Sequence, residues 1–377
     1  MVKRLLTVVQ ILPALASGGV ERGTLEVGAY LAAKGHRSIV ISAGGRMVKQ
    51  LEEQGSEHVT WPIGKKSLLT LKLVNRLRQF LEKERVDILH VRSRFPAWIA
   101  YFAWKEMNPK TRPALVSTVH GPYSVSPYSE VMTKGERVIV ISEMIRDYVT
   151  TQYQVNADRL RLIYRGVDAE AFPHGYKPKK AWLKKWFEDY PKTKDKALLV
   201  LPARLTKWKG QADFIDLVAH LRKHHKTFHA LIVGEVKKGK AGYLNKLTKK
   251  VKQQELSDCI TFTGHRDDLK EIMAISKIVY SFALEPEAFG RTTVEALSLG
   301  VAVIGYNHGG VSEQLAKLLP EGRVEVGNVA EAAMLTLSWL DQPPEVPIND
   351  AFSLTQMLEK TLAVYEELAL ARKRGIS

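Results

Sequence analysis

Two carboxylates, Glu287 and Glu295, flank a break in the chain that suits the binding of a phosphate. An apolar stretch typical of a strand, Ile278 to Leu284, ends before Pro286, and a helical pattern then runs from about Gly290 to Leu299. The first amides of a helix have no partner within it and lie at the positive end of its dipole, so they favour an anion. We therefore expect a helix that begins near Gly290 to hold a phosphate or diphosphate.

The two carboxylates are expected to lie on either side of that phosphate. Glu287 stands in the loop and can accept hydrogen bonds from hydroxyls on one side, while Glu295 stands one turn into the helix and can reach hydroxyls on the other. A nucleoside diphosphate sugar carries hydroxyls at both ends of its diphosphate. Two glutamates at this spacing also occur by chance on solvated helix faces, so the surrounding sequence has to decide between the two interpretations.

The sequence around the pair resembles the signature of the retaining glycosyltransferases of family 4, which have the GT-B fold. The resemblance lies in the order of strand, Pro286-Glu287, Phe289-Gly290 and helix, followed by a small apolar run that ends at Gly300. It implies that Glu287 takes part in catalysis by holding hydroxyls of the transferred sugar and that Glu295 binds the ribose. It also implies a donor-binding set made of Phe289, Gly290, Arg291, Thr292 and Glu295.

A second candidate element is the glycine loop Gly18-Gly19-Val20-Glu21, which follows the first apolar stretch of the chain. Glycines at a strand-to-helix turn let the backbone approach a phosphate closely, although a plain tight turn has the same composition. Val20 stands where a dinucleotide-binding fingerprint needs glycine, and no acidic residue ends the second strand, so a nicotinamide cofactor is not expected. The family resemblance implies that Gly18 and Gly19 meet the donor phosphates and the reacting sugar.

Three further side chains at strand ends are catalytic candidates. His120 ends an apolar strand, where open α/β sheets bind ligands, although a histidine at such a position is often structural. Arg204 and Lys209 follow the first strand of the second half, where two cations can neutralise the charge that builds up on a departing nucleoside diphosphate. Ordinary surface cations are the alternative. The resemblance implies that His120 orients or stabilises the transferring sugar and that both cations contact the diphosphate.

Arginines after two strands of the first half are candidates for binding an acceptor. Arg92 and Arg94 follow one strand, and Arg165 stands where most family 4 members have asparagine. These features resemble a subgroup of the family that builds the core of lipopolysaccharide, which implies an anionic glycolipid acceptor bound by the three arginines. The aromatic residues that follow, Trp98 among them, are also explained as the core of a helix.

The chain of 377 residues carries a net charge of +16, which implies an acidic partner such as nucleic acid, anionic lipid or an acidic glycolipid. It contains no zinc-finger spacing or ribonucleoprotein motif, so nucleic acid is not expected. Residues 65–85 predict a basic amphipathic helix that either contacts an anionic membrane surface or forms a solvated face. Its basic residues are Lys65, Lys66, Lys72, Arg76, Arg78, Lys83 and Arg85. The single cysteine, Cys259, fits a cytoplasmic location, with peripheral attachment to the inner face of the cytoplasmic membrane left open.

Short apolar strands alternate with longer amphipathic segments along the chain, which predicts parallel sheets built from βαβ units. The pattern restarts after a lysine-rich and proline-rich segment, 177–196, so we expect an α/β protein of two doubly wound Rossmann-like domains. The resemblance implies the GT-B arrangement, with a central cleft and a last helix that crosses back to the N-terminal domain. The expected domains are an acceptor-binding one, 1–168 with 350–377, and a nucleotide-sugar-binding one, 169–349.

Together with the resemblance, these residues predict a retaining, metal-independent hexosyltransferase. It would move a sugar from a nucleoside diphosphate sugar, its co-substrate, to a glycolipid such as the lipopolysaccharide core, and no cofactor is expected. A cluster of histidines lacks the carboxylate or cysteine that would complete a metal site. Its members are His220, His224, His225 and His229. Two alternatives stay open: a sugar-nucleotide epimerase of similar fold, and a nonenzymatic basic protein that binds nucleic acid.

Overall fold

The protein is described here by a computed structural model of residues 4–16, 18–224, 227–236 and 241–373. The chain divides into two compact units, the first within residues 1–165 and 355–377 and the second within residues 166–354. Each unit is built around its own parallel β-sheet. The α/β class with two doubly wound parallel sheets, predicted from the sequence, is confirmed.

The first unit contains a seven-stranded sheet in the order β3-β2-β1-β4-β5-β6-β7. Every adjacent pair of strands is parallel. The order reverses between β1 and β4, and open sheets of this kind bind ligands where the order reverses, outside the carboxyl ends of the strands. Its strands are β1 (Thr7–Ile11), β2 (Arg37–Ser42), β3 (Glu57–Thr60), β4 (Ile88–Val91), β5 (Ala114–Val119), β6 (Arg137–Val140) and β7 (Leu160–Leu162).

Helices connect these strands, as parallel pairing requires. They are α1 (Gly19–Ala33), α2 (Val48–Glu53), α3 (Leu73–Lys83), α4 (Arg94–Glu106), α5 (Pro127–Glu130) and α6 (Glu143–Tyr153), with short 3₁₀ helices at Leu68–Lys72, Val131–Thr133 and Ala157–Arg159. The central strands are buried throughout, so they read in the sequence as continuous apolar runs.

The second unit repeats this plan with six parallel strands in the order β10-β9-β8-β11-β12-β13. The strands are β8 (Ala197–Pro202), β9 (Phe228–Val233), β10 (Ile260–Gly264), β11 (Ile278–Ser281), β12 (Ala302–Tyr306) and β13 (Arg323–Val324). The helices are α7 (Lys180–Asp189), α8 (Gln211–Arg222), α9 (Ala241–Gln253), α10 (Leu269–Ala274), α11 (Arg291–Ser298), α12 (Gly309–Leu318) and α13 (Val329–Asp341), with 3₁₀ helices at Pro191–Thr193, Lys207–Lys209 and Pro320–Gly322. Here the order reverses between β8 and β11, so the loops that follow these two strands are the expected ligand-binding loops.

The last helix, α14 (Leu354–Lys373), packs almost wholly within the first unit. Its apolar stripe is buried, and the hydroxyl of Tyr365 lies 2.6 Å from Nδ1 of His90 on β4. Glu367 accepts hydrogen bonds from Arg137 on β6 and Arg161 on β7. Buried apolar contacts and these polar contacts therefore attach the C-terminal part of the chain to the first sheet.

The basic segment 65–85 is a 3₁₀ helix followed by α3 rather than one continuous helix. The apolar side of α3 is buried inside the first unit through Leu73, Leu77 and Leu81. Because that side is occupied, an amphipathic membrane-binding face over the whole segment is not available. The exposed part of the segment combines its lysines with Leu71, which is 48% exposed. No helix among the described residues is long and apolar enough to cross a membrane.

Candidate functional site

The N-terminus of α11 is a left-handed turn that only glycine fits. Gly290 has φ 82° and ψ 65°, and a Cβ at this position would lie 2.6 Å from Cγ2 of Val311. No side chain caps the helix, and within its first turn the main-chain N–H of Thr293 donates to the carbonyl of Gly290 at 3.2 Å. Thr293, in the same turn, has a buried hydroxyl with no hydrogen-bond partner among the described residues. This helix begins one residue after the predicted start, and Thr293 is a candidate that the sequence interpretation missed.

Glu287, on the loop before α11, forms an ion pair with Lys209. The carboxylate lies 2.7 Å from Nζ of Lys209, and the two side chains are only 18% and 15% exposed. The Lys209 ammonium also lies 4.3 Å from the ring centroid of Trp208. Lys209 is thus paired in this structure, and the pair as a whole carries no net charge.

A close crossing of two loops places Lys209 beside Glu287. Gly210 has φ 70°, and a Cβ there would lie 1.9 Å from the carbonyl oxygen of Phe282. The main-chain N–H of Leu284 donates to the carbonyl of Trp208 at 2.7 Å. Only glycine allows the loop after β8 to approach the end of β11 this closely. The close approach therefore requires glycine at position 210, next to Lys209.

Two further glycines position the main chain of Glu287, and the sequence interpretation missed them. The N–H of Gly310 donates to the carbonyl of Glu287 at 2.8 Å. A Cβ on Gly309, where φ is 59°, would lie 2.7 Å from the same oxygen. The Gly309-Gly310 pair at the start of α12 follows an apolar strand, which is the signal that could have identified it.

Glu295 lies inside the first turns of α11 and is 6% exposed. Its Oε1 accepts a hydrogen bond from Nε of Arg291 at 2.8 Å, one turn earlier in the helix. A carboxylate buried to this degree needs such a partner, because an unpaired buried charge is unfavourable. Glu295 and Arg291 therefore form a neutral pair, and the predicted contact between Glu295 and a ribose would share the carboxylate with Arg291.

The other predicted donor-binding residues differ in their exposure. Phe289 is buried and packs edge to face against Phe352, and its carbonyl accepts from Gln314. Its side chain therefore anchors the start of α11. Thr292 is partly exposed, and Arg204 lies exposed on the loop after β8.

In the first unit, the glycine loop forms the N-terminus of α1. Gly18 has φ 134° and ψ 174°, and its carbonyl accepts from the N–H of Arg22 at 3.0 Å. No side chain caps this helix. A Cβ added to Gly19 would meet no described heavy atom within 4 Å, so the space beside Gly19 is open to a ligand.

His120 follows β5 and is held by a hydrogen bond from Arg165. Nη2 of Arg165 lies 2.8 Å from Nδ1 of His120, while Nε2 is shielded from solvent and has no partner among the described residues. Burial, and then the positive charges of Arg165 and Arg92, hold the pKa of His120 well below its ordinary value. The ring is therefore neutral at physiological pH.

Arg92 does not occupy the exposed position expected of an acceptor contact. Its side chain is buried, 2% exposed, and its Nε donates to Oε1 of Gln10 at 2.8 Å. His90 below it is fully buried between Tyr365 and Thr118, at 2.6 and 2.7 Å. Arg92 is thus a buried cation of the first unit.

Arg94, two residues later, belongs to an aromatic surface. Its guanidinium lies 4.9 Å from the ring centroid of Tyr123 and 5.4 Å from that of Tyr128, and it donates to Ser129. Lys66 lies 5.5 Å from the ring of Tyr128. An open groove of about 500 Å³ adjoins this surface, and we call it the basic groove. It is lined by Lys66, Ser67, Leu71, Phe95 and Tyr128.

No group of three His, Cys, Asp or Glu side chains in the described part of the chain is arranged to hold a metal ion. His220 and His224 are exposed, and His225 lies outside the described residues. His229 is buried against Thr261 at 2.8 Å, and burial lowers its pKa to about 4. This histidine is thus a neutral core residue.

Comparison with known families accounts for both units. The family described as Glycosyltransferase Family 4 matches residues 17–171, and the family described as Glycosyl transferases group 1 matches residues 184–348. The chain is a glycosyltransferase. The second match spans β8 to α13, so it contains the Lys209–Glu287 pair and α11 of this transferase.

Solved structures of other proteins show the same GT-B fold as this transferase. A glycosyltransferase from Rickettsia africae is 29% identical, with a TM-score of 0.85 over 97% of this chain and 99% of that one. Anabaena HepE, solved in complex with UDP and glucose, is 20% identical with a TM-score of 0.71 over 98% of each chain. Among curated relatives, N-acetyl-alpha-D-glucosaminyl L-malate synthase of Bacillus anthracis is 24% identical over 315 residues, 80% of this chain and 78% of its own length.

Proposed function

We propose that this glycosyltransferase moves a hexosyl group from a nucleoside diphosphate sugar to an anionic glycolipid acceptor, with retention of configuration at the anomeric carbon. The acceptor class that fits the resemblance is the lipopolysaccharide core. The observation that carries the proposal is the uncapped N-terminus of α11, which follows a loop bearing the Lys209–Glu287 pair. This combination offers main-chain donors to a diphosphate and a carboxylate to sugar hydroxyls.

The donor diphosphate would bind main-chain N–H groups at the start of α11. Thr293 would contribute its unpartnered hydroxyl, and Arg204 an exposed guanidinium on the loop after β8. Glu295 would accept from the ribose hydroxyls. The presence of UDP in the similarly folded HepE supports a nucleotide-sugar donor.

Lys209 and Glu287 would change partners during the reaction. In the resting enzyme each neutralises the other at 2.7 Å. As negative charge develops on the departing diphosphate, the Lys209 ammonium would stabilise it, which is an interaction made in the transition state. Glu287 would then be free to accept hydrogen bonds from the sugar hydroxyls.

Retention would follow from attack on the face that the diphosphate leaves. The acceptor oxygen would bond to the anomeric carbon as the bond to the diphosphate oxygen breaks, and that oxygen would take the hydroxyl proton. His120 would donate a hydrogen bond to a substrate oxygen. Arg204 and Lys209 would supply the positive charge, so the proposed step requires no metal ion.

The basic groove is the proposed contact for the anionic acceptor. Arg94 and Lys66 supply positive charge, and the remaining lining of Leu71, Phe95 and Tyr128 is largely apolar. A glycolipid has both an anionic headgroup and an apolar part. We propose peripheral contact with an anionic membrane surface at this groove.

A second acceptor class is a small carboxylate. The Bacillus anthracis relative is named for L-malate, a dicarboxylate, and the same cations would bind such an anion. The apolar lining of the groove has no role for that acceptor, which is why the glycolipid is preferred.

The decisive experiment has two stages. A thermal-shift panel of UDP-, GDP- and ADP-sugars identifies the donor, since a bound ligand stabilises the folded protein by mass action. The selected donor is then incubated with a core glycolipid, with malate, or with no acceptor, and the product is examined by NMR. We expect transfer to the glycolipid with the anomeric configuration of the donor. Isomerisation of the donor without acceptor would instead establish an epimerase, and stabilisation by duplex DNA alone would refute both.

A further inference from the structure

The contact between Arg165 and His120 fixes where the proton of a buried imidazole lies. Arginine has five N–H donors, no acceptor, and keeps its charge in proteins, so the 2.8 Å contact from Nη2 requires Nδ1 of His120 to be the acceptor. A neutral imidazole whose Nδ1 accepts carries its hydrogen on Nε2. Nε2 of His120 is the shielded atom that has no partner among the described residues.

We propose that Arg165 is a positioning residue that holds His120 in the tautomer with its proton on Nε2, so that His120 presents a hydrogen-bond donor to a substrate oxygen. The inference rests on the proposed glycosyl transfer and adds the residue that determines which ring nitrogen of His120 donates a hydrogen bond. In this state the histidine donates and cannot accept a proton. Arg165 thereby excludes a general-base role for His120.

The fold makes room for Arg165 at one defined position. Gly23 is a buried residue of α1, and a Cβ added there would lie 2.4 Å from Nη1 and 2.9 Å from Cζ of Arg165. Nη1 also lies 3.9 Å from Sδ of Met357 on α14. The guanidinium is therefore enclosed by α1 and α14 as well as by His120. Gly23 lacks a side chain, and this leaves the space that the Arg165 guanidinium occupies beside α1.

The groups around His120 reinforce its neutral form. Arg165 faces the ring from the segment after β7. His90 lies on β4, and Arg92 follows that strand. The hydroxyl of Tyr123, on the loop after β5, accepts from the His120 main-chain N–H at 3.3 Å. Burial lowers the pKa of Arg92, and the negative charge of Glu26 on α1 opposes part of this effect. Positive charge thus prevails around the ring, and burial acts in the same direction on its pKa.

The tautomer can be measured in the full-length protein without any substrate. In protein labelled with ¹⁵N-histidine, the two ring nitrogens of a neutral imidazole give separate signals for the protonated and unprotonated atom. His120→Gln identifies the signals by their loss. We expect a neutral ring with the proton on Nε2 throughout the range of about pH 6 to 8, in which an ordinary histidine with a pKa of about 6.5 changes its charge. A charged ring at pH 7, or a proton on Nδ1, overturns the proposal.

Arg165→Met tests the cause. Removing the donor and its charge should raise the pKa of His120 and let both tautomers appear, with kcat lowered by roughly tenfold or more and the affinity for free nucleoside diphosphate unchanged. Arg165→Lys, which keeps a charged donor, should recover part of kcat. Arg146→Met is the matched control, because Arg146 is an exposed arginine of the same unit that pairs with Glu143. Unchanged His120 signals in Arg165→Met overturn the proposal.

Gly23→Ala tests the same contact from the opposite side and keeps Arg165 itself. The added methyl group displaces the guanidinium, so we expect the NMR signature and the kcat loss of Arg165→Met. Gly242→Ala on α9 is its control, since a Cβ there meets nothing within 4 Å. A Gly23→Ala protein with the wild-type tautomer and wild-type kcat contradicts the proposal. Because the tautomer is read without substrate, failure of the proposed acceptor leaves this result standing on its own.

Discussion

Changing Glu287 to glutamine separates the two roles that meet in the Lys209–Glu287 pair. The substitution keeps the size of the side chain and removes its negative charge. Lys209 then loses its partner at 2.7 Å, in a place where both side chains are more than four-fifths covered. The ammonium becomes available to a diphosphate, while the sugar hydroxyls lose a carboxylate acceptor.

The expected magnitude follows from the kind of hydrogen bond that is lost. A hydrogen bond to a charged group contributes about 1.5 to 3 kcal/mol, which corresponds to a loss of roughly 10- to 150-fold in affinity. We expect the affinity for the sugar nucleotide to fall by a factor in this range, because its sugar hydroxyls lose the carboxylate. The released Lys209 offsets part of this loss by binding the diphosphate. The free nucleoside diphosphate lacks the transferred sugar, so the substitution changes its affinity only through the released Lys209. Its affinity should stay constant or rise.

Isothermal titration calorimetry of both ligands against wild type and Glu287→Gln measures this difference. Asp216→Asn is the matched control, because Asp216 forms a 2.6 Å ion pair with Lys250 in the same unit, on helices α8 and α9. It should leave both affinities unchanged. Equal weakening of both ligands by Glu287→Gln, or wild-type affinity of the variant for the sugar nucleotide, would show that Glu287 does not hold the sugar hydroxyls.

Three further predictions concern α11 and the basic groove. Glu295→Ala should weaken the nucleoside diphosphate and the sugar nucleotide by the same factor in calorimetry, because the ribose is common to both. Gly290→Ala places a side chain at φ 82° and against Val311, so the melting temperature should fall by about 2 to 8 °C, whereas Gly242→Ala should not lower it. Replacing Lys65 and Lys66 together by alanine should reduce sedimentation with anionic liposomes without changing nucleotide affinity.

Each of these predictions can fail in a specific way. A Glu295→Ala protein that loses affinity only for the sugar nucleotide would exchange the roles of the two carboxylates. An unchanged melting temperature for Gly290→Ala would show that the turn tolerates a side chain. Equal sedimentation of the double lysine variant and wild type, at low salt where electrostatic attraction is strongest, would remove the membrane contact.

The sequence was sufficient for the elements whose local pattern is strong. The start of α11 was predicted to within one residue, because Pro286 and Gly290 interrupt an apolar strand and a small-residue helix on either side of a loop. β3 has no recognisable strand pattern, because it is an edge strand, Glu57–Thr60, with one apolar residue among polar ones. β13 has only two residues, which is too short to form a pattern in the sequence.

The site could be predicted only where sequence neighbours set the geometry. The Lys209–Glu287 pair joins two loops that are far apart in the sequence, and the contact depends on how closely Gly210 lets them approach. Arg92 and Arg94 show the same limit, since both are cations after β4 and only one is buried. The burial of Arg92 depends on partners such as Gln10 on β1. The local sequence around Arg92 cannot predict a partner on another strand.

The anomeric configuration of the first product shows whether this enzyme transfers the sugar with retention. The reaction is followed by proton NMR, with the donor that stabilises the protein and with the anionic glycolipid acceptor, from the first turnover onward. We predict a new glycoside with the anomeric configuration of the donor, formed only when acceptor is present, and much slower with Lys209→Met. A product of the opposite configuration, or conversion of the donor without acceptor, would rule out a retaining transfer to this acceptor.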